Sequence, residues 1–137
     1  MKAYIGLGTN MGDREKNIRD AVTALGLVPG VSVTKMSGIH ETEPVGYTHQ
    51  DNFFNACVEV DTTLTPNALL GVCLGIEAGM GRIRQFKNGP RIIDLDLLMY
   101  DDVEMNTKEL ILPHPRMFER EFVMIPLGEI ADEGFNA

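Results

Sequence analysis

Between Gly89 and Leu98 the chain runs Gly-Pro-Arg-Ile-Ile-Asp-Leu-Asp-Leu-Leu, and its two carboxylates, Asp94 and Asp96, stand at alternate positions. A strand alternates its faces with period two and rises ~3.3 Å per residue, which sets both acids on one side roughly 7 Å apart and Ile93, Leu95 and Leu97 on the other. Acids so spaced can share two hard cations about 3.5–4 Å apart, the separation that suits a metal pair clamping a phosphoryl group in transfer. A half-buried strand with acids on its wet side shows the same alternation. The segment just upstream favours the chemical reading: residues 82–91 hold Arg82, Arg84, Lys87 and Arg91 and no acid, four of only 12 Lys and Arg in a chain of formal net charge -8. A cationic patch on an acidic protein suits a small polyanion, and arginine forks with magnesium are the usual means of neutralising a triphosphate. Gly79, Gly81, Gly89 and Pro90 bracket the patch, which predicts a mobile loop closing onto the strand; a solvated basic loop is the plainer alternative.

A second set of residues suits a flat heterocycle. Phe53 to Val60 reads as a strand with Phe54, Ala56, Val58 and Val60 toward the core, leaving Phe53 and Asn55 together on the opposite face. A ring stacks on such a ligand and an amide reads the donors and acceptors round its edge, although a surface phenylalanine beside a turn asparagine looks the same. Lys2 to Thr9 is a further strand, with Ala3, Ile5 and Leu7 on one face and Tyr4, Gly6 and Gly8 on the other. Its two glycines bare the backbone for a ligand or for a packed segment.

The elements that must position these residues follow from periodicity and punctuation. Asn10 or Asp13 caps a first helix with the stripe Ile18, Ala21, Val22 and Leu25, ended near Gly26, while Asp13, Arg14, Glu15 and Lys16 form its solvated face. Pro29-Gly30 turns the chain into a strand from Val31 to His40, and residues 41–51, with Pro44 and Gly46, form a loop. His40 lacks a second ligand at metal spacing and reads as an ordinary surface or strand histidine. Thr65-Pro66 starts a second helix with the stripe Leu69, Val72, Cys73, Ile76 and Met80, and Gly71, Gly75 and Gly79 permit close packing or a dimer contact, of which close packing within the fold is expected. Beyond the acidic strand come a hairpin or short excursion (Tyr100 to Thr107), a short strand (Leu110 to Leu112), one helical turn (Met117 to Phe122) and an apolar helix against the sheet (Phe122 to Ala131). The order strand, helix, strand, strand, helix, strand predicts an α+β fold: a ferredoxin-like β-α-β-β-α-β core whose antiparallel sheet has helices on one face. Gly6, Gly8, Phe53, Asn55, Asp94 and Asp96 then share the other face, where the active site is expected.

The chain has 137 residues and 44% hydrophobic content, without a composition shift or linker, which predicts one domain over residues 1–137. No apolar run is long enough to cross a bilayer and the start lacks a secretory pattern, so a cytoplasmic protein is expected, with no membrane partner. Cys57 and Cys73 lie outside any ligand-spaced cluster and read as reduced core thiols. The acidic balance and the absence of an aromatic RNA-binding motif argue against a nucleic-acid partner.

Arg82-Ile83-Arg84, the run Gly89 to Asp96, and Pro113-His114-Pro115-Arg116-Met117 together resemble the 6-hydroxymethyl-7,8-dihydropterin pyrophosphokinase family of folate biosynthesis. The likeness extends from Tyr4 to Ala131. It implies an ATP-dependent diphosphotransferase that moves a pyrophosphoryl group from ATP to the pterin's hydroxymethyl oxygen and releases AMP. By that resemblance Asp94 and Asp96 hold two Mg2+ ions, Arg82 and Arg91 stabilise phosphate charge, and Glu77, Arg84, His114 and Arg120 hold ATP. Phe53 and Phe122 sandwich the pterin, while Asn55 and the backbone near Thr42, Glu43 and Val45 read its edge. His114 between two prolines could instead simply end a strand. The protein is expected as a monomer or homodimer. Asn88 stands where the family commonly has tryptophan, Leu74 and Ile111 where some members are polar, and the chain stops soon after Ala131, as a short member or one whose tail has been removed. Two other readings compete. A nucleotidyltransferase also uses Asp-x-Asp, but with a Gly-Ser pair close upstream, whereas Gly8-Thr9 lies far away; a ligand-sensing module of the same topology would need neither the arginines nor the acids.

Overall fold

The structure, a computed structural model, describes residues 1–81 and 89–131. In chain order the elements are β1 (Lys2–Thr9), α1 (Arg14–Leu27), β2 (Val31–Met36), β3 (His40–Thr42), β4 (Phe53–Thr62), α2 (Pro66–Gly79), β5 (Asp94–Tyr100), β6 (Met105–Asn106), β7 (Ile111–Leu112), a 3-10 turn (Met117–Glu119) and α3 (Glu121–Ile130). Arg82, Arg84 and Asn88, with the expected closing loop, lie outside the described residues.

The sheet is antiparallel with strand order β2-β4-β1-β5, and β3 continues the outer edge of β4 beyond β2. Central β1 brings Ala3, Ile5 and Leu7 to the face covered by α1 and α2, where they pack with Val58, Val60, Leu95 and Leu97, with Ala21 and Leu25 of α1, and with Leu69 and Cys73 of α2. Each such aliphatic side chain, fully buried, contributes about 1.5–3 kcal/mol of transfer free energy. Both helices start at side-chain caps, Asp13 accepting from the Lys16 N–H at 3.1 Å and Thr65 from the Ala68 N–H at 3.2 Å. Of the two expected caps for α1, Asp13 serves; Asn10 is engaged elsewhere.

The face opposite α1 and α2 is only partly open. Val123, Leu127 and Ile130, one stripe of α3, pack with Met117 against Tyr4, Cys57 and Leu98. A register shift makes this second core possible: Ile5 faces Leu97 but Tyr4 faces Met99, so Leu98 is the extra residue of a bulge. Leu98 and Met99 consequently both join α3, and Tyr100 returns to the first core. What α3 leaves uncovered is the end of the sheet that carries Gly8, Asn55 and Asp94.

Two sequence expectations change. The strand expected from Val31 to His40 is two strands, because after Met36 the Ser37 hydroxyl accepts the Cys57 N–H at 2.8 Å and the Gly38 N–H turns to the Glu129 carboxylate at 2.9 Å. Residues 40–42 therefore pair with β4 rather than starting the loop. His40, half-buried, is paired with Glu129 at 2.8 Å. Finally, Gly71, Gly75 and Gly79 mediate no close packing among the described residues: a methyl group built on any of them meets nothing there within 4 Å. These glycines cost helix stability without a packing gain, so Gly71→Ala and Gly75→Ala should each stabilise the fold by about 0.5–1 kcal/mol in thermal or urea unfolding. A lowered melting temperature would show that this helix face is in contact with something.

Candidate active site

Register assembles the site. Gly8 of β1 faces Asn55 of β4 on one side and Asp94 of β5 on the other, and one row further Gly6 faces Cys57 and Asp96. Two strand spacings, roughly 9–10 Å, therefore separate the backbone carrying the amide from the backbone carrying the acid. With glycine between them nothing stands in the way, and the space is used: a methyl group on Gly8 would lie 3.1 Å from Asn55 Oδ1. Above this floor opens a cavity of about 770 Å³, a size suited to a small-molecule ligand.

The β4 side of the cavity is ring and amide. Phe53 and Asn55 line it together, joined by Thr42, Glu43 and Val45 from the end of β3 and the loop after it. Asn55 is buried and its Nδ2 donates to the Thr42 hydroxyl, so the amide is oriented before any ligand arrives. Phe122, at the start of α3, lines the cavity as well. Each ring has a guanidinium over it, Arg91 at 5.2 Å from the Phe53 centroid and Arg120 at 5.6 Å from that of Phe122. Such cation–π contacts hold aromatic faces and cations in fixed relation. Arg14, expected on the solvated face of α1, is instead stacked 4.0 Å over Phe54 and donates to the Asn52 carbonyl at 2.9 Å, behind this wall.

The β5 side is acid and base. Asp94 and Asp96 both line the cavity, and Arg91 Nη1 lies 3.9 Å from Asp94 Oδ2. Among the described residues no three His, Cys, Asp or Glu side chains form a metal cage. Two adjacent carboxylates with open space above them nevertheless fit magnesium, a hard ion that keeps waters and takes substrate phosphate oxygens as its other ligands. Glu77 is not at the cavity; it is buried in α2, where its Oε2 accepts the Leu95 N–H at 2.7 Å, on the residue between the two aspartates.

His114 likewise stops short of the cavity wall. Its backbone N–H donates to the Leu98 carbonyl at 2.8 Å and its buried Nδ1 has no hydrogen-bond partner among the described residues. Burial, reinforced by the nearby Arg120 and opposed by Asp94, pushes its pKa below the usual 6.5. The ring is therefore neutral at neutral pH, a donor or acceptor rather than a cation.

Of the expected site residues, then, Thr42, Glu43, Val45, Phe53, Asn55, Arg91, Asp94, Asp96, Arg120 and Phe122 surround one cavity, while Glu77 and His114 lie beside it. The cavity also has lining residues that sequence reasoning missed, Arg116, Glu119 and Glu121 around the 3-10 turn. A charged Arg-x-x-Glu run gives no sign of which way it faces.

A cavity with cations and paired acids on one side and rings with a fixed amide on the other suits a transferase whose substrates are a polyphosphate and a flat heterocycle. Within that class the chain belongs to the 7,8-dihydro-6-hydroxymethylpterin-pyrophosphokinase family, whose model matches residues 4–132. It is 49% identical over 131 residues to the 2-amino-4-hydroxy-6-hydroxymethyldihydropteridine pyrophosphokinase of Bacillus subtilis, covering 96% of this chain and 78% of that one. The enzyme of the same name from Methylorubrum extorquens is 47% identical over 132 residues, covering 96% of this chain and 84% of its own. Among solved structures the fold resembles an HPPK-DHPS in complex with substrates, with a TM-score of 0.68 at 17% identity, over 94% of this chain and 40% of the other.

Two outcomes test the geometry. Gly8→Ala should displace the Asn55 amide and weaken heterocycle binding about tenfold while the protein still unfolds cooperatively, as read by calorimetry and thermal melts. For His114 the folded pKa is the lower one, so the unfolded chain takes up the proton first. Stability should thus be full above pH ~6.5 and fall as pH drops from there through the lowered folded value. His114→Asn should flatten that part of the urea-unfolding profile.

Proposed function

We propose that this chain binds ATP over Asp94 and Asp96 and a hydroxymethyldihydropterin between Phe53 and Phe122, so that the alcohol meets the β-phosphorus. Its reaction is that of its family: pyrophosphoryl transfer from ATP to the hydroxymethyl group of 6-hydroxymethyl-7,8-dihydropterin, in folate biosynthesis. The observation that carries the assignment of roles is the row Asn55, Gly8, Asp94, which puts a heterocycle reader and a phosphate-side acid on one floor with open backbone between.

Asn55, already held by Thr42, offers its remaining polar capacity to the pterin edge, and Phe53 and Phe122 supply the stacking faces. Fixing the alcohol at near-attack distance removes much of the entropic barrier to a two-substrate reaction. The new bond joins the alcohol oxygen to the β-phosphorus. The bond that breaks is the one from β-phosphorus to the oxygen shared with the α-phosphate, so AMP leaves with that electron pair and the alcohol's proton is released. Two magnesium ions, held by Asp94 and Asp96, would neutralise the phosphate charge and polarise the attacked phosphorus. Arg91, placed beside Asp94 and over Phe53, meets the phosphates at the junction of the two substrates. Arg120, over Phe122, adds a second cation on the far side. In this reading Arg82 and Arg84 complete the cationic set, Glu77 and His114 serve ATP from behind the wall, and the enzyme works in the cytoplasm.

Identification of the nucleotide product separates the alternatives. AMP with a pterin diphosphate supports this reading; released pyrophosphate would indicate nucleotidyl transfer, and absence of turnover a sensing module. Asp94→Ala and Asp96→Ala should each reduce AMP formation by about a thousandfold or more, with cooperative unfolding retained. Near-normal turnover of either variant at saturating magnesium would falsify the metal assignment.

A further inference from the structure

Asn10, just past the end of β1, is 3% exposed and joins two segments that flank the cavity from opposite sides. Toward Arg91 it makes a two-bond clasp: its backbone N–H donates to the Arg91 carbonyl at 3.1 Å and its Oδ1 accepts the Arg91 N–H at 2.9 Å. Toward the loop that follows β3 its Nδ2 donates to Gln50 Oε1 at 2.8 Å and to the Asp51 carbonyl at 3.0 Å. Gln50 in turn donates to the Tyr47 carbonyl at 2.7 Å, folding that loop on itself. The amide orientation is dictated by its partners, since the Arg91 N–H requires an oxygen and the Asp51 carbonyl requires a donor. Only a side-chain amide supplies one acceptor and two donors at this reach.

We propose that Asn10 is a positioning residue, one that holds Arg91 and the heterocycle-side loop in a common register. The inference rests on the function proposed above. Arg91 carries its guanidinium over Phe53 and beside Asp94, and the same chain loop runs back to Glu43 and Val45 at the cavity wall. Asn10 does not itself line the cavity, yet displacement of either segment is passed through its amide to the other. The wall that receives the pterin and the cation that meets the phosphates thereby form one unit. A buried amide with every polar group engaged is costly to replace by a side chain that satisfies only one side.

The two halves of the amide can be removed separately. Asn10→Asp keeps the acceptor for Arg91 and sets a carboxylate against the Asp51 carbonyl, whereas Asn10→Ala removes every side-chain bond and leaves only the backbone N–H bond to the Arg91 carbonyl. With 6-hydroxymethyl-7,8-dihydropterin titrated in the presence of a non-hydrolysable ATP analogue, and AMP formation measured in parallel, Asn10→Asp should lose pterin affinity by about tenfold and more than it loses kcat. Asn10→Ala should lose both by about tenfold or more, and Gln50→Ala should follow the Asp pattern on an intact fold. Amide exchange gives a readout independent of activity: the Arg91 N–H should stay protected in Asn10→Asp and exchange at least tenfold faster in Asn10→Ala. The proposal is overturned if both Asn10 variants shift kcat and pterin affinity in equal proportion, or if Arg91 protection is the same in all forms. Loss of the proposed function itself would show differently, as a wild-type chain that neither binds the pterin nor forms AMP while its Arg91 amide is still protected.

Discussion

Everything at the cavity depends on the hydrogen-bond register of three strands. β1 is paired residue by residue with β4 and β5, and that ladder alone decides that Gly8 stands between Asn55 and Asp94. A slip of one residue on either side would turn every side chain to the other face, burying acids among leucines and pointing Leu95 at the substrate. The oily alternation of Ile5, Leu7, Leu95 and Leu97 therefore does more than form a core. It makes the wrong register so unfavourable that the polar face has one arrangement available.

That arrangement has a second support at the outer edge of β5, which has no further strand beside it among the described residues. There the Glu77 carboxylate, buried in α2, accepts the N–H of Leu95, taking the place a neighbouring carbonyl would fill. That bond holds the backbone between the two aspartates from the helix side, away from the cavity. The same economy of partners is seen at β3, where Ser37 and Glu129 satisfy backbone groups at the break after Met36.

Sequence reasoning reached the parts of this design that rest on local periodicity. Alternation placed Asp94 and Asp96 together, put Phe53 beside Asn55 and grouped both with Gly6 and Gly8, and the Thr65-Pro66 cap was legible from residue type. It could not see contacts between distant positions. Asn10 was read as a cap because nothing nearby hints that its partners are at positions 50, 51 and 91. Arg14 was read as solvated because the ring beneath it is Phe54, forty residues on. The glycines of α2 misled for another reason: a four-residue spacing permits close packing, but only a neighbour can make use of it, and among the described residues none is within reach.

The two thiols carry a different consequence. Cys73 is buried among α1, α2 and the sheet, while Cys57 is in the α3 core and contributes to the cavity lining. Burial pushes both up to about 12. At neutral pH the thiolate fraction is then on the order of one part in a hundred thousand, and the thiolate is the reactive form. A sulfur lines the cavity, yet an electrophilic compound aimed at it would meet a neutral thiol. Selective compounds for this cavity must gain their affinity from its rings, its amide and its charged side chains instead.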